Sequence, residues 1–153
     1  MTLLIIKENM KNRFIIFLFI AGLLTSCTNT PKPVVYGSDG CHYCSMTIVD
    51  KQHAAQFMTK KGKSFAFDAT ECMLNHIKDL DSEIIVLFLV NDFNAPGEFV
   101  DAKGATYLIS KNIPSPMGEF LSAFSTVEDA RSAQAANEGE LFTWEELKER
   151  FSL

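Results

Sequence analysis

A short segment near residue 40 concentrates sulfur-bearing side chains. Cys41, Cys44 and Met46 lie within six residues, in the order Cys-His-Tyr-Cys-Ser-Met. Two cysteines separated by two residues can bring their thiolates to one metal ion or to each other. Met46 changes the expected chemistry, because zinc prefers thiolate, imidazole and carboxylate ligands, whereas thiolate and thioether sulfurs together favour Cu(I). The alternative is a Cys41–Cys44 disulfide with Met46 in the core.

A second methionine lies in an expected loop. Met117 stands between Pro116 and Gly118, in a segment whose two prolines exclude regular strand pairing. A stiff loop of this kind can present one thioether to a metal ion. A methionine that fills the core beneath the loop is the equally simple interpretation.

Cys72, Met73 and His42 are further candidates with weaker signals. Cys72 and Met73 lie on the apolar face of an expected helix, which favours a buried thiol and a core methionine. His42 lies within the Cys-x-x-Cys segment and could bind a metal or tune its charge.

The chain shows no nucleophile–histidine–acid order, phosphate loop or paired carboxylates, so we predict that it is not an enzyme.

The elements expected to hold these residues alternate between strands and helices. Short apolar or β-branched stretches predict strands, and Ser, Thr or Asp followed three residues later by Glu predicts the start of a helix. The expected strands are 46–49, 54–58, 64–67, 84–90, 98–100, 106–109, 120–124 (strand or irregular) and 140–142. The expected helices begin after Asp68, Ser125 and Thr143 and end near Leu80, Gly139 and Phe151.

Both halves of this pattern contain strand, strand, helix and strand. Phe65-Ala-Phe-Asp68 and Ala123-Phe-Ser-Thr126 each lead into a helix, which is a weak internal repeat. We therefore predict an α+β fold in which two similar small ββαβ units pack as one compact domain, residues 40–153. With 47% hydrophobic and 22% charged residues, the composition excludes a disordered protein.

Residues 1–26 have the composition of a lipoprotein signal peptide. Three basic residues precede the uncharged apolar run 14–24, which at 11 residues is too short to span a bilayer. Leu24-Thr-Ser-Cys27 resembles the bacterial lipobox, in which the cysteine is lipidated; an uncleaved membrane anchor is the alternative. Residues 27–39 are then expected to tether the domain to the membrane.

The predicted mature chain, residues 27–153, is acidic. Its 11 basic and 18 acidic residues give a net charge of −7, which argues against binding nucleic acid through a basic surface. We expect an extracytoplasmic protein, lipid-anchored through Cys27 at the periplasmic face of a bacterial membrane. With Cys27 lipidated three thiols remain, so at least one stays unpaired in a monomer.

Several motifs together resemble the NosL family of copper-binding lipoproteins, which is associated with assembly of nitrous oxide reductase. The resemblance covers nearly the whole mature domain, and the family usually has glycine where Ser45 stands here, so a turn that needs a positive φ would be strained. The matching motifs are the lipobox at Cys27, Cys41-His-Tyr-Cys-Ser-Met-Thr47, Gly62-Lys-Ser-Phe-Ala-Phe-Asp68, Glu71-Cys-Met73, Asp101-Ala102, Tyr107-Leu108, Ser115-Pro-Met-Gly118 and Ala123-Phe124.

This resemblance implies two similar ββαβ units and a chaperone that binds one Cu(I) ion. The recipient would be a copper enzyme, nitrous oxide reductase by resemblance, with its membrane assembly machinery as a further partner. We predict that the ligands are Cys44, Met46 and Met117, with Cys41 as the next candidate. Candidates for supporting groups or further ligands are His42, Cys72, Met73 and Asp68.

Two other classes of protein remain open. A thiol-disulfide protein would use Cys41 and Cys44 as its redox pair, although the segment lacks the thioredoxin-like pattern of a strand followed by Cys-x-x-Cys at a helix start. A structural zinc module would need a fourth conventional ligand, for which His42 or Cys72 is available.

Overall fold

A computed structural model describes residues 30–153, of which Pro31–Leu153 forms one compact unit. The predicted signal peptide and Cys27 lie outside the described residues. Most of the expected tether belongs to this compact unit: Tyr36 donates a 2.8 Å hydrogen bond to Asn91, and the Lys32 carbonyl accepts one of 2.7 Å from Gln56. Within the described range, none of the helices has the length and apolar character needed to cross a membrane.

The described chain contains strands and helices in an alternating order. The expected strands at 54–58, 64–67 and 106–109 are present within a residue of their predicted bounds. The elements are β1 Ala55–Thr59, β2 Ser64–Phe67, α1 Thr70–Ile77, a 3-10 helix Ser82–Ile84, β3 Ile85–Asn91, β4 Phe99–Asp101, β5 Thr106–Ile109, β6 Leu121–Phe124, α2 Val127–Asn137, β7 Glu140–Phe142 and α3 Trp144–Arg150.

The strands form two antiparallel sheets with the same internal order. One sheet runs β2-β1-β3-β4 and the other runs β6-β5-β7. In each sheet the first strand of the unit lies between the second and third strands, and a helix connects those two. The units β1-β2-α1-β3 and β5-β6-α2-β7 therefore share one topology, which confirms the predicted α+β fold.

One feature of the expected strand pattern is wrong. No strand forms at 46–49; only an isolated bridge joins Gly40 to Thr47, because the chain turns back between them. The turn at Lys103-Gly104 lies between β4 and β5 but does not pair them as a hairpin, since β4 pairs with β3 and β5 pairs with β6 and β7. This turn instead connects the two sheets.

The three helix starts differ in their capping. Thr143 and Glu146 form the expected capping box of α3. The cap of α2 is Thr126, one residue after the expected Ser125. The capping box expected at Asp68 is wrong, because α1 begins after Ala69, which offers no side-chain cap, and Asp68 itself is buried.

One hydrophobic core joins the two units. It combines Phe57 and Phe88 of the first sheet with Tyr107 of the second sheet and Trp144 of α3, and the Phe88 and Trp144 ring centroids lie 5.3 Å apart. His53 adds a polar link, because its Nε2 lies 3.2 Å from the Ser122 hydroxyl of β6. The two units therefore pack as a single domain.

Candidate metal centre

The Cys-x-x-Cys segment forms a tight turn closed by backbone hydrogen bonds. The Cys41 N–H donates to the Met46 carbonyl at 2.7 Å, and the Ser45 N–H donates to the Cys41 carbonyl at 3.0 Å. The turn requires a φ of 65° at Ser45, a left-handed conformation that favours glycine. The His42 N–H donates to Ala66 at 2.9 Å, which fixes the turn against strand β2.

Three cysteine sulfurs converge between this turn and helix α1. The Sγ atoms of Cys41, Cys44 and Cys72 all lie within 4.8 Å of one another. Cys72 reaches the turn because α1 starts three residues after β2 ends and its first turn is buried. Cys41 and Cys72 are buried and Cys44 is partly exposed, so the cluster has one side open to solvent.

All three thiols are free, and their environments differ. A hydrogen bond from Cys72 holds the pKa of Cys41 well below its usual value, with help from the backbone N–H groups of Asp68, Cys44 and Tyr43. Burial raises the pKa of Cys44. The hydrogen bond to Cys41, followed by burial, raises the pKa of Cys72. Among the three sulfurs, the thiolate form is therefore most favoured at Cys41, whereas Cys44 and Cys72 favour the protonated thiol.

The two candidate methionine ligands differ in exposure. Met46, on the turn, is 44% exposed. Met117 is half-buried in the loop between β5 and β6 and packs against the core cluster to which Cys41 and Cys72 belong. Met73 is fully buried in that core.

The remaining candidates lie around the cluster. The exposed His42 ring packs 4.6 Å from Phe65 and 5.0 Å from His76 between ring centroids. Asp68 is buried with no hydrogen-bond partner for its Oδ1. Burial, followed by repulsion from the Cys41 thiolate, raises the pKa of the Asp68 carboxyl.

Glu71 is a buried polar residue whose position the sequence did not indicate. The expected capping box gave it a role at the helix start, yet its side chain is fully buried and accepts a hydrogen bond from the Ser115 hydroxyl. Ser115 lies 44 residues further along the chain, in the loop of Met117. The available signals were its place next to a cysteine on an apolar helix face and its membership of the Glu71-Cys-Met73 motif.

Comparisons with known proteins decide the family. The NosL family model matches residues 34–152. The chain belongs to the NosL family. It is 27% identical over 126 residues to the copper-binding lipoprotein NosL of Stutzerimonas stutzeri; the alignment covers 76% of this chain and 66%, just under two thirds, of that relative.

The NosL fold is also present in a solved structure. The crystal structure of the copper chaperone NosL from Shewanella denitrificans matches with a TM-score of 0.68 and 21% identity. The match covers 77% of this chain and 95% of that one. At this identity the likeness establishes the fold, and the family model independently confirms the resemblance expected from the motifs.

Proposed function

We propose that this chain is a copper chaperone that binds one Cu(I) ion at Cys41, Cys44 and Cys72 and delivers it to a copper enzyme. The observation that carries this proposal is the convergence of three sulfurs within 4.8 Å. Thiolates are soft ligands that suit Cu(I), and a preformed cluster needs little rearrangement to bind it. Relatives named for copper binding support the choice of metal.

Met46 and Met117 complete the proposed site as thioether ligands. Met46 is exposed beside the turn, where it can meet incoming copper first. Met117 approaches from the second unit and packs against the same core as Cys41 and Cys72. With Met46 or Met117 bound in addition to the cysteines, the copper ion could lose or gain one ligand while the other ligands still hold it.

Delivery requires that a partner reach the metal. The partly exposed Cys44 leaves one side of the cluster open to solvent. Segments of the chain on either side of the Cys-x-x-Cys turn, and the turn itself, expose large apolar side chains, namely Val35, Tyr43, Met46 and Val49. Such side chains often mark contact surfaces on soluble domains. A recipient docked here could add its own ligand before a cysteine leaves. By family resemblance, the recipient is nitrous oxide reductase or its membrane assembly machinery.

The proposed location follows from the N-terminal sequence. Lipid on Cys27 would hold the domain on the outer side of a bacterial membrane, with copper handled outside the cytoplasm. In this arrangement the chain acts as a carrier and catalyses no reaction.

An anaerobic titration tests the function. The unit Pro31–Leu153, which contains both sheets and the described core, is titrated with Cu(I) against a chelating competitor. We expect one tight equivalent that weakens in Cys44→Ala and Cys72→Ala. Met58→Leu, a substitution of a buried methionine on β1, is the matched control and should bind as the wild type does.

The same titration separates the alternative classes. Replacing Met46 and Met117 with leucine should weaken Cu(I) binding and leave zinc binding or thiol redox activity nearly unchanged. Tight Cu(I) binding that survives loss of all three cysteines would contradict the proposed site.

A further inference from the structure

We infer that Glu71 and Ser115 are positioning residues that hold the Met117 loop beside the cysteine cluster. The inference rests on the proposed Cu(I) function and adds a device that sets the geometry of that site. Neither residue is proposed to touch the metal.

The link consists of two hydrogen bonds made by one hydroxyl. The Ser115 Oγ donates to Glu71 Oε1 and accepts a 2.9 Å hydrogen bond from the Phe120 N–H. The Gly118 N–H also donates to the Ser115 carbonyl at 3.0 Å. Ser115 therefore fixes both its own loop and the contact of that loop with α1.

The placement of these residues connects ligands from the two units. Glu71 directly precedes Cys72 on α1, and Ser115 lies two residues before Met117. One hydrogen bond thus joins the helix that supplies a thiol to the loop that supplies a thioether. Pro114 and Pro116 flank Ser115 and restrict the loop backbone further, because proline fixes φ.

A purely structural role explains Glu71 poorly. Its side chain is 0% exposed, its Oε2 has no hydrogen-bond partner, and no salt bridge in the described part of the chain includes it. A buried carboxylate without a cation destabilises a fold. An apolar residue would pack at lower cost, whereas Glu71 supplies a directional acceptor for the loop. Holding ligands in place before binding raises affinity because less freedom is lost.

The test compares variants of the Pro31–Leu153 unit by Cu(I) competition against a chelator. Ser115→Ala and Glu71→Leu should weaken Cu(I) binding by about tenfold, the size of effect expected for groups that support metal ligands. Glu71→Gln keeps an oxygen acceptor for Ser115 and should restore affinity to within about threefold of the wild type.

A double-mutant cycle separates positioning from general stability. If Ser115 acts through Met117, Ser115→Ala should cause no further loss of affinity in a Met117→Leu background. The matched control is Tyr107→Phe, which removes a buried hydroxyl that donates to Ala102 at 2.7 Å. It should lower thermal stability and leave Cu(I) affinity unchanged.

The outcomes distinguish this inference from the proposed function. A wild-type unit that binds no Cu(I) would overturn both. A wild-type unit that binds Cu(I), combined with normal affinity in folded Ser115→Ala and Glu71→Leu, or with fully additive losses in the cycle, would overturn the inference alone. Loss of affinity in Ser115→Ala that disappears in the Met117→Leu background supports it.

Discussion

The two ββαβ units share one topology and use their helices differently. In the first unit α1 is almost entirely buried, lacks a side-chain cap and carries both Glu71 and Cys72. In the second unit α2 has Thr126 as its cap and buries only Ala130. The first helix therefore serves the site, and the second follows the ordinary rules of a surface helix.

The comparison shows where this fold tolerates unfavourable local structure. The buried side-chain oxygens without partners in the described residues, Asp68 Oδ1 and Glu71 Oε2, both belong to the first unit. Backbone strain does not divide in this way, because non-glycine residues with a positive φ include Ser45 in the turn before the first unit and Phe120 and Glu138 in the second. Buried polar atoms without partners are expected at functional sites, where the surrounding fold must compensate for them.

The largest expected effect is the pH dependence of copper binding. It concerns the first unit and the turn before it, because the second unit contains no cysteine. The pKa of Cys41 is lowered, while the pKa values of Cys44 and Cys72 are raised. Near neutral pH, binding at all three sulfurs displaces two protons. Affinity should therefore rise with pH by about 100-fold per pH unit, tenfold for each proton. Chelator competition at several pH values measures this slope.

The slope also tests whether Cys72 binds the metal ion. Cys44→Ala keeps the Cys72 hydrogen bond that lowers the pKa of Cys41 and leaves only the Cys72 proton to be displaced, so the slope should fall to about tenfold per pH unit. A wild-type slope of that smaller size would mean that Cys72 keeps its proton and only packs in the core.

The second unit should show the largest effect on stability. Gly139 precedes β7 with a φ of +105°, and an added Cβ would lie 2.3 Å from the Ile109 carbonyl oxygen. Gly139→Ala combines backbone strain with a backbone clash and should lower the free energy of unfolding by about 3 kcal/mol. Urea denaturation measures this loss, and Cu(I) affinity of the folded fraction should be unchanged.

Gly37→Ala is the matched control for strain alone. Gly37 has a φ of +80° with no atom within 4 Å of an added Cβ, so the cost should be about 1 kcal/mol. Equal losses in both glycine variants would contradict the role assigned to the Ile109 contact.

A smaller contrast is expected at the two helix starts. Thr126→Ala removes a cap that accepts from the Asp129 N–H at 3.1 Å and should cost about 1 kcal/mol.

Asp68→Asn removes no cap. Because the Asp68 pKa is raised, its folded-state contribution is favourable at low pH and is lost as pH rises through that pKa. The asparagine variant should therefore be at least as stable as the wild type at pH 7, by urea denaturation.

The elements with local signals were predictable, and contacts between them were not. Strand β5 follows from a short apolar stretch, and the cap of α3 follows from Thr143 and Glu146. The strand expected at 46–49 is absent because a backbone hydrogen bond between Cys41 and Met46 closes a turn there. Local preference cannot reveal this contact, since strand and turn suit the same short apolar segment.

The same limit applies to the candidate site. Helical periodicity placed Cys72 on an inward face of α1, which matches its burial. Periodicity says nothing about which segment covers that face, so the approach of the Cys41 turn could not be predicted. The contact between Glu71 and Ser115 depends on the packing of the second unit against the first. Sequence spacing thus identified the sulfur-rich turn, and tertiary packing selected its third cysteine.

The smallest expected effect concerns the turn itself. Ser45 has a φ of 65°, where a non-glycine residue costs about 1 kcal/mol, and glycine adopts this conformation freely. Part of the gain in Ser45→Gly is offset because glycine also gains freedom in the unfolded chain, so the net stabilisation should be about 0.5 kcal/mol. Urea denaturation of the metal-free unit measures it.

Comparing metal-free and Cu(I)-loaded forms of this variant tests whether the turn is preformed. Ser45 links Cys44 to Met46, so any change of the turn on metal binding would alter its φ. If the turn keeps one conformation, Ser45→Gly stabilises both forms equally and leaves Cu(I) affinity unchanged. A variant that stabilises only the metal-free form would bind Cu(I) more weakly by the same free energy, because binding is linked to folding. That result would mean that copper binding relieves the backbone strain at Ser45. The turn would then change conformation on binding, and the cluster would be only partly preorganised.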